Sequence, residues 1–157
     1  MKKSFIVCIM LMIIAITISY ANFSAGGIVG DPTGLKFQYD LKSNTFLNAD
    51  LAYSFLFGLQ GATLAGDVWF VNRDLVIINR KSYPLFLGLG FQNRISGIFG
   101  GDTYNAFALR GLGGFFIPIF LDNRNRLRLI FQAGPLVQLT SGFKISGTVG
   151  LSLVYRF

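Results

Sequence analysis

Read from its last residue backwards, the chain repeats with a period of two. In residues 143–157 one phase is Phe143, Ile145, Gly147, Val149, Leu151, Leu153, Tyr155 and Phe157, and the other is Lys144, Ser146, Thr148, Gly150, Ser152, Val154 and Arg156. A helix would return apolar residues every third and fourth position, so this spacing predicts a strand. Residues 126–139 behave alike, with Leu127, Leu129, Phe131, Ala133, Pro135, Val137 and Leu139 set against Arg126, Arg128, Ile130, Gln132, Gly134, Leu136 and Gln138. Pro135 has no N–H for a ladder, so a bulge or a sheet edge is expected there.

The same alternation recurs upstream. Residues 105–117 carry Phe107, Leu109, Phe115 and Ile117 on one face and Arg110 on the other. Residues 83–94 set Leu85, Leu87, Leu89 and Phe91 against Phe86, Gly88, Gly90, Gln92 and Arg94. Residues 62–71 form a strand of less clear phase, in which Asp67 places Val68 and Phe70 together on the apolar face. Residues 45–55 set Leu47, Ala49, Leu51, Tyr53 and Phe55 against Phe46, Asn48, Asp50, Ala52 and Ser54. Residues 35–41 alternate Leu35, Phe37, Tyr39 and Leu41 with Lys36, Gln38 and Asp40, and residues 23–30 make a short first strand. The Asp-Pro-Thr-Gly sequence at 31–34 fits a type I turn. Residues 42–44, 72–82, 95–103, 120–126 and 140–142 read as the other main connections. The count is eight strands in one domain, all-β and antiparallel, with no repeat and no boundary inside it.

Alternation does not by itself say which face is outside, because a soluble sandwich alternates too. Two features favour apolar side chains pointing outward. The bulky phase is Leu, Phe, Tyr or Val on nearly every strand, whereas the other mixes single charges with Gly, Ser, Ala and Thr, which suits the narrow lumen of an eight-stranded barrel. Charged residues are only 13% of the chain and glutamate is absent, against roughly 25–35% charge on an ordinary soluble surface. Tyr39, Tyr53, Phe55, Phe91, Phe115, Tyr155 and Phe157 are expected near strand ends, as the aromatic girdles of a transmembrane barrel.

The first residues are different. Met1-Lys2-Lys3 is a basic start, residues 5–18 are an unbroken apolar run, and Ser19-Tyr20-Ala21 offers a small-residue cut. This is the pattern of a cleavable signal peptide over residues 1–21, and the run is short for a spanning helix; an uncleaved anchor is the alternative. The expected domain is then a barrel over residues 22–157. Cys8, the sole cysteine, falls within the leader, so the mature part has no thiol for a disulfide or a metal. The part from residue 22 keeps twelve bases and seven acids. It has no clustered basic tract of the kind that binds nucleic acid.

Together these residues resemble the small eight-stranded outer-membrane barrels of the OmpA-like and OmpX-like type. The opening at residues 26–41 is similar to the first hairpin of a bacterial subgroup of them. The resemblance implies a bacterial outer-membrane location with both termini periplasmic, outer-membrane lipid as surroundings and a monomeric state. It also implies that the barrel assembly machinery reads the last strand through Val149, Leu151, Leu153, Tyr155 and Phe157. Connections 42–44, 72–82 and 120–126 would then be periplasmic turns. Those at 31–34, 56–61, 95–103 and 140–142 would face outward, and are short for the family. An extracellular ligand stays unknown.

Catalysis is not expected. Barrel enzymes of this size use a histidine as general base, and the chain contains neither histidine nor glutamate. No cofactor and no metal site is expected. Gly26, Gly27 and Gly30 are not followed by the helix a phosphate loop needs. Trp69 reads as a girdle or lumen packing residue, and residues 98–101 as a rim loop or an apolar contact. The remaining constellation is the set of charges that phase directs inward: Lys36, Asp40, Asp50, Asp67, Arg94, Arg110, Arg128, Lys144 and Arg156. Unpaired charges in a narrow lumen are unfavourable, so a salt-bridge network among them is expected. It would serve as a structural plug or, since bases outnumber acids, as a gated anion-preferring passage. A structural or surface-interaction role (envelope integrity, docking or adhesion) follows from the plug. A narrow pore for small solutes, or a secreted soluble barrel for an apolar ligand, are the alternatives.

Overall fold

The computed structural model describes residues 22–55, 61–73, 75–78, 81–96, 104–119, 127–140 and 143–157. The expected leader at 1–21 and the stretch 98–101 lie outside them, as do 56–60 and 120–126. The strands are β1 (Phe23–Asp31), β2 (Thr33–Lys42), β3 (Thr45–Ser54), β4 (Gly61–Asn72), β5 (Ile77–Ile78), β6 (Lys81–Ser82), β7 (Leu85–Ser96), β8 (Tyr104–Ile119), β9 (Leu127–Gln138) and β10 (Lys144–Arg156). The first four and last four close into an eight-stranded barrel in the order β1-β10-β9-β8-β7-β4-β3-β2. Every pairing is antiparallel and β1 completes the wall against β10. The expected connection at 72–82 carries a ribbon of its own, β5 with β6.

Two turns are tighter than the sequence predicts. Only Pro32 separates β1 from β2. The turn there spans Gly30–Thr33 rather than a type I turn over 31–34. Thr33 Oγ1 donates to the Gly30 carbonyl at 2.7 Å and accepts from the Gly30 N–H at 3.1 Å. The Asp31–Pro32 peptide is cis, and Gly30 has φ 140°, which a side chain would not tolerate. Pro135 marks neither a bulge nor an edge. It stays in register with Gly147 on β10, and on the β8 side the pairs Arg110–Leu136 and Gly113–Ala133 flank a gap in the ladder without shifting it.

The register fixes the shape of the wall. Following paired residues from Ser24 through Gln38, Asn48, Asp67, Gly90, Arg110 and Leu136 reaches Ser146, ten residues before Arg156, which meets Ser24 from the other side. A stagger of ten over eight strands corresponds to a tilt of about 40° and a backbone radius of about 8 Å. Such a lumen holds side chains and little else.

The two phases segregate as the alternation predicts. Leu87 and Leu89 are more than 70% exposed, and Leu35, Leu51, Leu64, Phe70, Leu109, Leu151 and Leu153 are exposed too, whereas Lys36, Asp50, Asp67 and Arg110 are buried. This inverts the arrangement of a soluble protein. The aromatics sort by position. Phe23, Phe37, Tyr155 and Phe157 gather in ring contacts of 5.3–6.2 Å at the end holding the chain termini. Tyr53 and Phe55 pack together at the opposite, loop end. Phe91 departs from the expected girdle: it lies mid-strand on β7 opposite Gly66 and meets Phe107.

Candidate functional site: ion clusters in the barrel lumen

The lumen is layered, and each layer follows from which inward residues the stagger brings to one height. Nearest the termini, Asp40 Oδ2 forms ion pairs with Arg156 at 3.2 Å and Arg128 at 3.6 Å, and Arg156 also donates to Asn22 Oδ1 at 3.3 Å. Arg128 also donates to Gln38 Oε1 at 3.3 Å and lies over the Phe46 ring.

Above this mouth comes an apolar band of Phe46, Trp69, Val71, Phe86, Phe116, Ile130 and Val154, joined by Leu112. Trp69 stacks on Phe86 with centroids 4.0 Å apart. Gly88 makes room for it, since a Cβ at that position would enter the indole. The inward phase of Phe46 and Phe86 is visible in the sequence, but the expected lumen of small residues and ions contains no such band.

At mid-height four charges form one chain of contacts. Lys36 Nζ donates to Asp50 Oδ1 at 2.8 Å and to Gln132 Oε1 at 3.0 Å. Arg110 Nη2 donates to Asp50 Oδ2 at 2.6 Å, and the same guanidinium grips Asp67 through Nε at 2.5 Å and through Nη2. Lys36 also lies 4.6 Å above the Trp69 ring. Lys36, Asp50 and Asp67 come from adjacent strands β2, β3 and β4, while Arg110 and Gln132 reach in from β8 and β9 across the lumen. Two cations meet two carboxylates, all at most 2% exposed, so the charge of this layer is balanced. Gln132, absent from the expected set, had no signal beyond its inward phase.

Toward the loop end the lumen is polar. Ser54 and Thr63 hydroxyls meet at 2.9 Å, Gln138 donates to the Tyr104 hydroxyl at 2.9 Å, and Thr148 donates to the Asp31 carbonyl at 2.6 Å. A cavity of about 20 Å³, lined by Gln92, Arg94, Ala108 and Gln138 among others, opens here. That is room for about one water molecule. Arg94 is buried in this layer and Lys144 is exposed at its rim.

The nine expected lumen charges therefore do not form one network. Lys36, Asp50, Asp67 and Arg110 make the central cluster, and Asp40, Arg128 and Arg156 make a second at the terminus-side mouth. Arg94 and Lys144 lie at the loop end, at a different height from both clusters. The intervening apolar band separates the first two groups. Among the described residues, no group of three or more Asp, Glu, His or Cys could hold a metal.

No protein-family model matches the chain. No curated protein matches it either. Among solved structures, the N-terminal β-barrel domain of Pseudomonas aeruginosa OprF is similar, with a TM-score of 0.53 and 14% identity over 87% of this chain and 96% of that one. At that identity the likeness shows the fold: a closed, eight-stranded, antiparallel up-and-down barrel.

Proposed function

We propose that this chain is a small bacterial outer-membrane β-barrel with a plugged interior and a non-enzymatic role, structural or surface-interacting, in envelope integrity, docking or adhesion. One observation carries the reading. A wall of exposed Leu, Phe and Val surrounds a lumen crossed by the Lys36–Asp50–Arg110–Asp67 cluster. Closed barrels span hydrocarbon because every strand edge is paired, and a strand tilted to this degree crosses in about 9–11 residues. The barrel strands here run from 9 to 16 residues. The likeness to the OprF barrel domain supports the outer membrane as the location. On this reading both termini are periplasmic and the barrel is a monomer. Val149, Leu151, Leu153, Tyr155 and Phe157 then serve twice, as lipid-facing wall and as the strand read by the assembly machinery.

A narrow pore for small solutes is the second reading, favoured by the polar layer and small cavity above the cluster. Recording from the purified full chain in a planar bilayer separates the two. The plugged barrel gives no steady conductance, because the apolar band and the ion cluster occupy consecutive heights of one narrow lumen. Steady, voltage-tolerant channels from the unmodified chain would reject the plug in favour of the pore.

A further inference from the structure

The two ends of the barrel sequence meet at the terminus-side mouth, and Asn22 holds them together. Its carbonyl accepts from the Asp40 N–H at 2.8 Å, and its Oδ1 accepts from Arg156 at 3.3 Å. The next residue, Phe23, accepts from the Phe157 N–H at 3.0 Å, and its ring contacts those of Phe37 and Phe157. The start of β1 is thus fastened to β2 on one side and to β10 on the other. Further along β1, Gly26, Gly27 and Gly30 bring no side chains to that closure.

Asp40 has an oxygen to spare at this point. Oδ2 takes both Arg128 and Arg156, whereas Oδ1 is buried and receives no hydrogen bond from the described residues. A carboxylate oxygen shut away from water without a donor is unfavourable. The Asn22–Asp40 rung continues the pairs Phe23–Tyr39 and Ser24–Gln38. Opposite residues of a rung hold their Cβ atoms about 5 Å apart on one face, so the Asn22 nitrogen is within a side chain's reach of that carboxylate.

In the uncut chain this nitrogen is a neutral amide. The cut expected after Ala21 changes it. Hydrolysis by a signal peptidase adds one water across the Ala21–Asn22 bond: the hydroxyl goes to the Ala21 carbonyl carbon and the proton to the Asn22 nitrogen. Ionisation then moves the new carboxyl proton to the amine, and Asn22 is left with an ammonium of three N–H donors.

We infer that Asp40 Oδ1 is the receiving site for the α-ammonium created at Asn22 by leader removal, and that this ion pair clasps β1 to its neighbours in the processed chain only. The ammonium rests on the expected cut; the Asn22–Asp40 rung and the oxygen without a donor do not.

The test begins with N-terminal sequencing of the chain processed on export, where Asn22 is expected first. Asp40→Asn is then compared in the processed chain and in the full chain 1–157, each unfolded by urea from detergent. Loss of the arginine contacts is common to both, so the difference reports the ammonium. The substitution is expected to lower the folded-to-unfolded ratio about fivefold further in the processed chain, the equivalent of about 1 kcal/mol. A second readout needs no variant. Acetylation of the Asn22 amine at neutral pH is expected to run about fivefold slower in the folded processed chain than in urea, since pairing holds it as the unreactive ammonium by the same margin. Lys144, exposed at the opposite rim, is expected to react alike in both states. Equal losses in the two chains, or equal Asn22 acetylation rates in the folded and unfolded states, overturn the pairing. A first residue other than Asn22 rejects the cut itself, and the clasp with it, and is told apart at the sequencing step.

Discussion

Replacing Asp50 with alanine lowers the free energy of unfolding by about 3–5 kcal/mol, the range found when one member of a buried ion pair is removed. Asp50 is the hinge of the central cluster: one oxygen receives Lys36 and the other receives Arg110. Without it two buried cations share the single carboxylate of Asp67, and Lys36 keeps the neutral oxygen of Gln132 and the face of Trp69 but no carboxylate of its own. Desolvating a cation without a counter-charge is the dominant effect, larger than the small volume lost. Asp50→Asn, which preserves that volume, is therefore expected to lose nearly as much. The paired change Lys36→Met/Asp50→Leu leaves Arg110 matched to Asp67 and recovers most of the loss, since a buried pair exchanged whole for apolar residues is often neutral. Urea unfolding of the detergent-solubilised barrel, followed by the fluorescence of Trp69 beside Lys36, reads all three. A loss below about 1 kcal/mol in Asp50→Ala, the worth of an exposed pair, would contradict the cluster as drawn.

The second large effect is on the outer wall. Leu151→Arg is expected to destabilise the barrel folded in lipid vesicles by about 2–4 kcal/mol, the penalty for arginine at the bilayer midplane. Leu151 lies in the middle of β10, paired with Phe131 on one side and Val29 on the other, and is 47% exposed. On a soluble surface a residue so exposed would take the change within about 0.5 kcal/mol. The sign and size of this one substitution thus report which solvent the wall meets. Reversible denaturant titration in vesicles of matched thickness measures it, and a change inside the soluble range would count against a hydrocarbon environment.

What could be read from the chain and what could not divide along one physical line. Strand phase is local: a period of two puts Leu151 and Ser152 on opposite faces without any knowledge of neighbours, and the bulk of one phase against the sparse charges of the other says which face is outside. Hence the inward charges, the outward leucines and even the inward Phe46 and Phe86 are visible in the alternation. Height in the lumen is not local, because it depends on stagger accumulated from strand to strand. Lys36 and Asp50 face each other across one hairpin, and a correct turn would suffice to pair them. Arg110 reaches Asp50 only because β7 and β8 are each offset along their neighbours by register that no short stretch encodes. The same offset collects Phe46, Trp69, Phe86 and Phe116 into one band and leaves Arg94 and Lys144 above the cluster. Pro135 shows a different limit. The rule that proline avoids sheet interiors is statistical, and here the barrel accepts a gap in one ladder without losing register.

The central claim is the inversion of the wall, and its most direct test is accessibility along β10. Single cysteines introduced at positions 148–153 of the Cys8→Ser chain, spin-labelled and placed in lipid vesicles, would be relaxed by oxygen, which concentrates in hydrocarbon, and by a water-soluble nickel chelate. Oxygen accessibility is expected to alternate, high at 149, 151 and 153 and low at 148, 150 and 152, with the chelate reaching none of the outward three. Nickel relaxation at 149, 151 and 153 equal to that of a label in water would contradict it.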